Sequence, residues 1–207
     1  MSRVRVKICG ITRPEDALHA AREGADAIGL VFHADSPRAL TAQDAKGVVG
    51  GLPPFVSRIG LFVNSEPAFV RTILDAVPLD MLQFHGDEPP DYCRAFARSY
   101  IKAVRMAEGI DLPGTEQRYA DAAALLLDTF VDGTAGGTGQ AFDWDLVPRS
   151  RQLPVVLAGG LTAENVAGAI RRVHPWAVDV SGGVEAAKGV KDHARVSAFI
   201  AAVRGEG

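Results

Sequence analysis

Residues 154–183 read Pro154-Val-Val-Leu-Ala-Gly-Gly-Leu-Thr-Ala-Glu-Asn-Val-Ala-Gly-Ala-Ile-Arg-Arg-Val-His-Pro-Trp-Ala-Val-Asp-Val-Ser-Gly-Gly183. An apolar run, Pro154–Ala158, has strand length and no polar alternation, as a strand buried on both faces would. Two glycines and Thr162 follow, a turn and then a residue type favoured at helix starts. Val166, Ala169, Ile170 and Val173 repeat at helical spacing. A second apolar run, Ala177–Val180, ends in another glycine pair. The stretch therefore reads as one complete β–α–β unit.

The same alternation extends towards the amino terminus. Further strand candidates are Val4–Ile8, Ala27–Phe32, Ser57–Val63, Leu79–Phe84, Tyr100–Val104 and Ala124–Asp128, which makes eight in all. Thr12-Arg-Pro-Glu15 fits a capping box with Pro14 in the first turn. Thr41, Ser65, Asp87 and Asp192 are further cap-type residues ahead of helical stretches, the last before Val196, Phe199, Ile200 and Val203. The helices around Thr115–Asp121 and Phe142–Val147 read as short or irregular. Eight units of about 26 residues predict a single α/β (β/α)8 TIM barrel spanning residues 1–207, with an open doubly wound sheet as the rival.

Composition narrows the function classes. The chain has 207 residues, 47% of them hydrophobic, and a formal net charge of −3. That balance gives no broad attraction to nucleic acid or an anionic membrane. No apolar run approaches the roughly 18 residues of a membrane span, and no signal-peptide pattern opens the chain. Two cysteines, Cys9 and Cys93, do not form a disulfide framework. A cytoplasmic location is expected.

In such a barrel the chemistry sits at the carboxyl ends of the strands. Lys7 and Cys9 share one face of the first strand, Leu126 and Asp128 one face of the sixth, and Ala177 and Asp179 one face of the eighth. Pointing inward, they bring a thiol and two carboxylates to the axis. Blander readings stand beside this one. Cys9 alone is a small buried hydrophobe, the aspartates cap turns or form a buried ion pair with Lys7, and Arg38 is a solvated loop charge. His85 is read as a structural hydrogen bonder, and Cys93 as a buried helix residue. Gly159-Gly160 and Gly182-Gly183 follow the last two strands, where backbone N–H groups commonly hold a phosphate; tight turns alone also explain them. His19, His33, His174 and His193 show no ligand spacing, so no metal is expected. No P-loop, G-x-G-x-x-G, H-E-x-x-H, C-x-x-C or G-x-S-x-G sequence is present. The residues alone suggest proton transfer at carbon on a small phosphorylated substrate, with thiol and carboxylate opposed.

Seven segments sharpen this. Lys7-Ile-Cys-Gly-Ile-Thr12, Ser36-Pro-Arg38, Gln83-Phe-His-Gly86, Leu127-Asp-Thr129, Gly136-Gly-Thr-Gly139 with Phe142-Asp-Trp144, Leu157-Ala-Gly-Gly-Leu-Thr162 and Asp179-Val-Ser181 occur in this order. Together they resemble the phosphoribosylanthranilate isomerase family of tryptophan biosynthesis, almost end to end. The resemblance implies an Amadori rearrangement of N-(5'-phosphoribosyl)anthranilate to 1-(2-carboxyphenylamino)-1-deoxyribulose 5-phosphate, without a cofactor. It implies Asp128 as the acid that opens the ribose ring and Cys9 as the base at C2. Arg38 would pair with the anthranilate carboxylate and Asp179 hold ribose hydroxyls. Backbone groups near Gly160, Ser181 and Gly182 would cradle the phosphate, with the Gly136–Gly139 loop closing over the substrate. Lys7 would favour the Cys9 thiolate. The family usually carries Ser-Ser-Gly where this chain has Ser181-Gly182-Gly183, which leaves one hydroxyl fewer for the phosphate. The stretch His33-Ala-Asp35 is also unusual for it. Alternatives are the histidine-pathway sugar isomerase, whose first strand offers an Asp base, and a catalytically silent barrel that binds a phosphorylated ligand. The expected assembly is a monomer or homodimer.

Overall fold

The computed structural model describes residues 3–129 and 142–206. Eight parallel strands close in sequence order: β1 (Arg5–Ile8), β2 (Ala27–Val31), β3 (Ser57–Phe62), β4 (Met81–Phe84), β5 (Tyr100–Met106), β6 (Ala124–Thr129), β7 (Val155–Leu157) and β8 (Ala177–Val180). Parallel pairing of β1 with β8 closes the barrel and sets Lys7 beside Asp179. All eight expected strands are present, with ends shifted by no more than two residues, and the open sheet is excluded. β5 runs two residues further than its apolar pattern suggested.

Seven helices surround the barrel among the described residues: α1 (Pro14–Glu23), α2 (Ala42–Val49), α3 (Pro67–Ala76), α4 (Pro90–Arg94), α5 (Leu112–Arg118), α6 (Val166–Val173) and α7 (His193–Arg204). Between β6 and β7 the described residues hold a single 3-10 turn, Trp144–Leu146. A short hairpin, β9 (Glu185–Ala187) with β10 (Val190–Lys191), follows β8 and has no counterpart in the sequence reading.

The helix starts correct several expectations. Thr12 does not cap α1; Arg13 stands at that position without a side-chain capping bond, and the Thr12 hydroxyl donates to the Gly189 carbonyl instead. The hairpin thus takes the group that the capping box would have used. Glu66, Pro89 and Asn165, rather than Ser65, Asp87 and Thr162, precede α3, α4 and α6. Thr41 and Asp192 do cap, accepting from the amides of Asp44 and Arg195. α5 begins earlier than expected because Asp111 caps it through the Gly114 amide.

Two apolar layers hold the fold. The larger lies between strands and helices, where Ile8, Phe62, Phe84, Leu125 and Phe199 are fully buried. The smaller fills the barrel and is built from Ala27, Ile59, Ile101, Ala103, Leu126, Val156 and Ala177. Burial of this kind contributes roughly 1.5–3 kcal/mol for each large side chain. The inner layer stops below the carboxyl ends of the strands. There the inward positions become polar, and the site begins.

Candidate active site

The inward faces of β1, β4, β6 and β8 deliver Cys9, Gln83 with His85, Asp128 and Asp179 to one cleft at the carboxyl ends of the strands. Arg38, Ser181 and the glycines of the last two loops line the same cleft. The strand period of two therefore places the thiol and both carboxylates as expected. Gly29 on β2 makes room for the thiol: a Cβ there would lie 2.7 Å from Cys9 Sγ and 3.0 Å from Lys7 Nζ.

Lys7 is buried, and its Nζ donates to Asp179 Oδ1 at 2.8 Å. Burial opposes charge on Lys7, but Asp179 and Cys9 beside it more than offset this and raise its pKa. Lys7 is thus a fixed cation. Burial pushes the Cys9 thiol up from its ordinary range. Lys7 pulls the thiol the other way without prevailing, and Asp179 adds to the rise. The expectation that Lys7 favours the thiolate holds in sign but is outweighed by desolvation.

Asp128 accepts from the Thr129 amide at 2.8 Å through Oδ1, and His85 Nε2 lies 3.1 Å from Oδ2. The other ring nitrogen, Nδ1, is 2.9 Å from Gln83 Nε2. His85 is therefore a hydrogen bonder, and its partner is the proposed acid.

Arg38 is not a solvated charge. Its Nε and Nη2 donate to the two carboxylate oxygens of Glu185, both at 2.7 Å. Glu185 also accepts from Lys191 Nζ at 2.9 Å. Burial raises the Glu185 carboxyl, yet Arg38 and Lys191 together hold it below its ordinary range. A guanidinium carries five donors, so this fork leaves three for a ligand. Glu185 and Lys191 were missed in the sequence, because strands of three and two residues carry no readable period.

The loops after β7 and β8 pack against each other. A Cβ at residue 183 would fall 2.0 Å from the Leu161 carbonyl oxygen, so only glycine permits the contact. Asn165 braces the first loop, donating to the Gly160 carbonyl at 2.9 Å and accepting from the Thr162 amide at 2.9 Å. Among the described residues, the amides of Gly160, Gly182 and Gly183 have no backbone carbonyl partner. Such amides, next to glycines, suit an anion. The Gly136–Gly139 loop lies outside the described residues. Among the described residues no three His, Cys, Asp or Glu side chains group so as to hold a metal ion. Cys93 is buried in α4, away from the cleft.

A closed eight-stranded parallel barrel, with a thiol opposite a carboxylate and an amide-lined loop pair, defines a (β/α)8 enzyme site for an anionic substrate. Comparison with known proteins narrows the class. The N-(5'phosphoribosyl)anthranilate (PRA) isomerase family profile matches residues 6–202. An N-(5'-phosphoribosyl)anthranilate isomerase of Pseudomonas fluorescens is 59% identical over 204 residues, covering 99% of this chain and all of that one. The crystal structure of the Thermotoga maritima phosphoribosyl anthranilate isomerase superposes with a TM-score of 0.90 at 44% identity, covering 98% of this chain and 99% of that one. A second crystal structure of that enzyme class, in complex with reduced 1-(o-carboxyphenylamino)-1-deoxyribulose 5-phosphate, gives 0.87 at 44% identity with the same coverage. The chain belongs to the N-(5'-phosphoribosyl)anthranilate isomerase family.

Proposed function

We propose that this chain, as one catalytic domain, converts N-(5'-phosphoribosyl)anthranilate to 1-(2-carboxyphenylamino)-1-deoxyribulose 5-phosphate, with Cys9 and Asp128 as the base and acid. The observation that carries the reading is that both side chains line a single cleft of a barrel whose relatives are isomerases from end to end. Asp128 gives its proton to the ribose ring oxygen, and the C1–O bond breaks to leave a protonated Schiff base. Cys9, as thiolate, takes the proton from C2. The C2–H electrons form the C1–C2 double bond, and the imine nitrogen accepts the displaced pair. The resulting enolamine becomes the ketone as C1 takes the proton held by Cys9 and the C2 hydroxyl releases its proton to Asp128, which returns both groups to their starting states. Atoms and charge balance within the substrate and these two groups, so the scheme calls for no cofactor.

Arg38, forked on Glu185, offers its remaining N–H groups to the anthranilate carboxylate. Asp179, fixed by Lys7, accepts from ribose hydroxyls. The amides of Gly160 and Gly182, with Ser181, hold the phosphate. The enzyme works in the cytoplasm as a monomer or homodimer on a small-molecule substrate. No described helix is long and apolar enough to cross a membrane. Steady-state turnover of freshly made substrate tests the reading: measurable turnover with micromolar to millimolar KM is expected, and none above the spontaneous background would overturn it.

A further inference from the structure

The polar chain behind Asp128 has no part in the scheme above, yet it is buried and ordered by the fold. Gln83 is completely buried on β4. Its Nε2 is 2.9 Å from His85 Nδ1, while its Oε1 has no partner among the described residues. A buried amide that leaves its oxygen unpaired costs free energy, so the retained contact is the one to His85. With the amide as donor, Nδ1 must accept, and the single proton of a neutral imidazole then sits on Nε2. That proton faces Asp128 Oδ2 across 3.1 Å.

The turn carrying His85 is anchored from behind. Glu88 accepts from the Gly86 and Asn64 amides, and Lys102 Nζ donates to Glu88 Oε2 at 3.0 Å and to the Gly86 carbonyl at 2.5 Å. This buried ion pair lies outside the cleft, on the far side of the turn from Asp128. It fixes the path of the chain just after the imidazole.

We propose that His85 is a positioning residue for Asp128, with Gln83 selecting the tautomer that presents Nε2–H to the carboxylate. The proposal rests on Asp128 being the acid. The imidazole N–H holds the Asp128 side chain in the mouth and stabilises the carboxylate that appears once the proton has passed to the ring oxygen. Its worth is therefore greatest as charge develops, and it acts on kcat more than on KM. Other ionisable groups in the cleft with Asp128 are Cys9, His33, Arg38 and Asp179, with Lys7 bonded to Asp179 and Arg105 in register with Asp128 on β5. The residues just after β7, Ala158 and Gly159, carry no charge.

Three variants and one spectrum test this. His85→Leu removes the donor, and kcat should fall about ten- to a hundredfold, the worth of a hydrogen bond to a charged group, with KM within about threefold. His85→Gln retains an N–H within reach of Asp128 and should recover most of that loss. On an Asp128→Asn background, His85→Leu should add little further. Nitrogen-15 NMR of the folded wild type should show Nε2 protonated and Nδ1 bare, a readout independent of turnover. Equal losses in His85→Leu and His85→Gln, or a proton found on Nδ1 alone, would overturn the proposal. Full activity of Asp128→Asn would instead overturn the assignment of the acid on which it rests.

Discussion

The β1–β8 side of the mouth surrounds Cys9 with full charges, a buried lysine paired to a buried aspartate. On the β4–β6 side Asp128 forms no ion pair with a lysine or arginine among the described residues, and its hydrogen-bond partners there are an imidazole and a backbone amide. The difference matches the task of each group. A thiol must become an anion to act as a base, so it gains from a neighbouring cation whose own pKa is raised. A carboxylic acid must hold its proton until the substrate takes it and then stand as an anion. Hydrogen-bond donors without a lysine or arginine in direct contact suit it, since a full positive charge in contact with a carboxyl favours loss of its proton. Two acidic side chains are thus set in environments of different kinds.

Exchanging each group itself is the harshest way to break the comparison. Cys9→Ser and Asp128→Asn should each lower kcat by about 10²–10⁴-fold, the usual worth of a positioned acid or base. Lys7→Met attacks the base side alone. It should move the Cys9 alkylation midpoint, already expected above the ordinary thiol value of about 8.5, to still higher pH, because burial and Asp179 then act on the thiol with only Lys191 opposing them. It also leaves Asp179 buried and unpaired, and denaturant unfolding should show a loss of about 3–5 kcal/mol. An unchanged alkylation profile would remove Lys7 from the account.

Arg38→Lys probes the rim between the sides. The lysine cannot reproduce the two-bond fork on Glu185, and KM for the substrate should rise about ten- to a hundredfold with kcat little changed. Gly182→Ser, which restores the hydroxyl usual in the family, has the smallest expected effect. A single added hydrogen bond should tighten inhibition by inorganic phosphate about two- to tenfold. A weaker inhibition would show that the amides alone already satisfy the anion.

The strands were legible because parallel strands covered on both faces are almost wholly apolar, so each stood out as a block between polar turns. The period of two puts Cys9, Asp128 and Asp179 each on one definite face of its strand, and closure of the barrel turns those faces into one cleft. Helix starts were less legible, since competing partners decide them. Thr12 is of the right type to cap α1, but a distant hairpin carbonyl claims its hydroxyl. The Glu185–Lys191 pair that orients Arg38 was invisible because its hairpin is too short for a pattern. His85 could be read as a hydrogen bonder, but not its partner, which comes from a strand 43 residues later in the chain. Side chains that meet across a barrel leave no local spacing to find.

The pairing of one thiol with one carboxylate is tested most directly by the fluorescence of freshly made phosphoribosylanthranilate. It is followed with wild type, Cys9→Ser and Asp128→Asn at equal concentration, each first confirmed to be folded. The account predicts rapid loss of fluorescence with wild type and a rate near the spontaneous background with both variants. Turnover near the wild-type rate in either variant would contradict it.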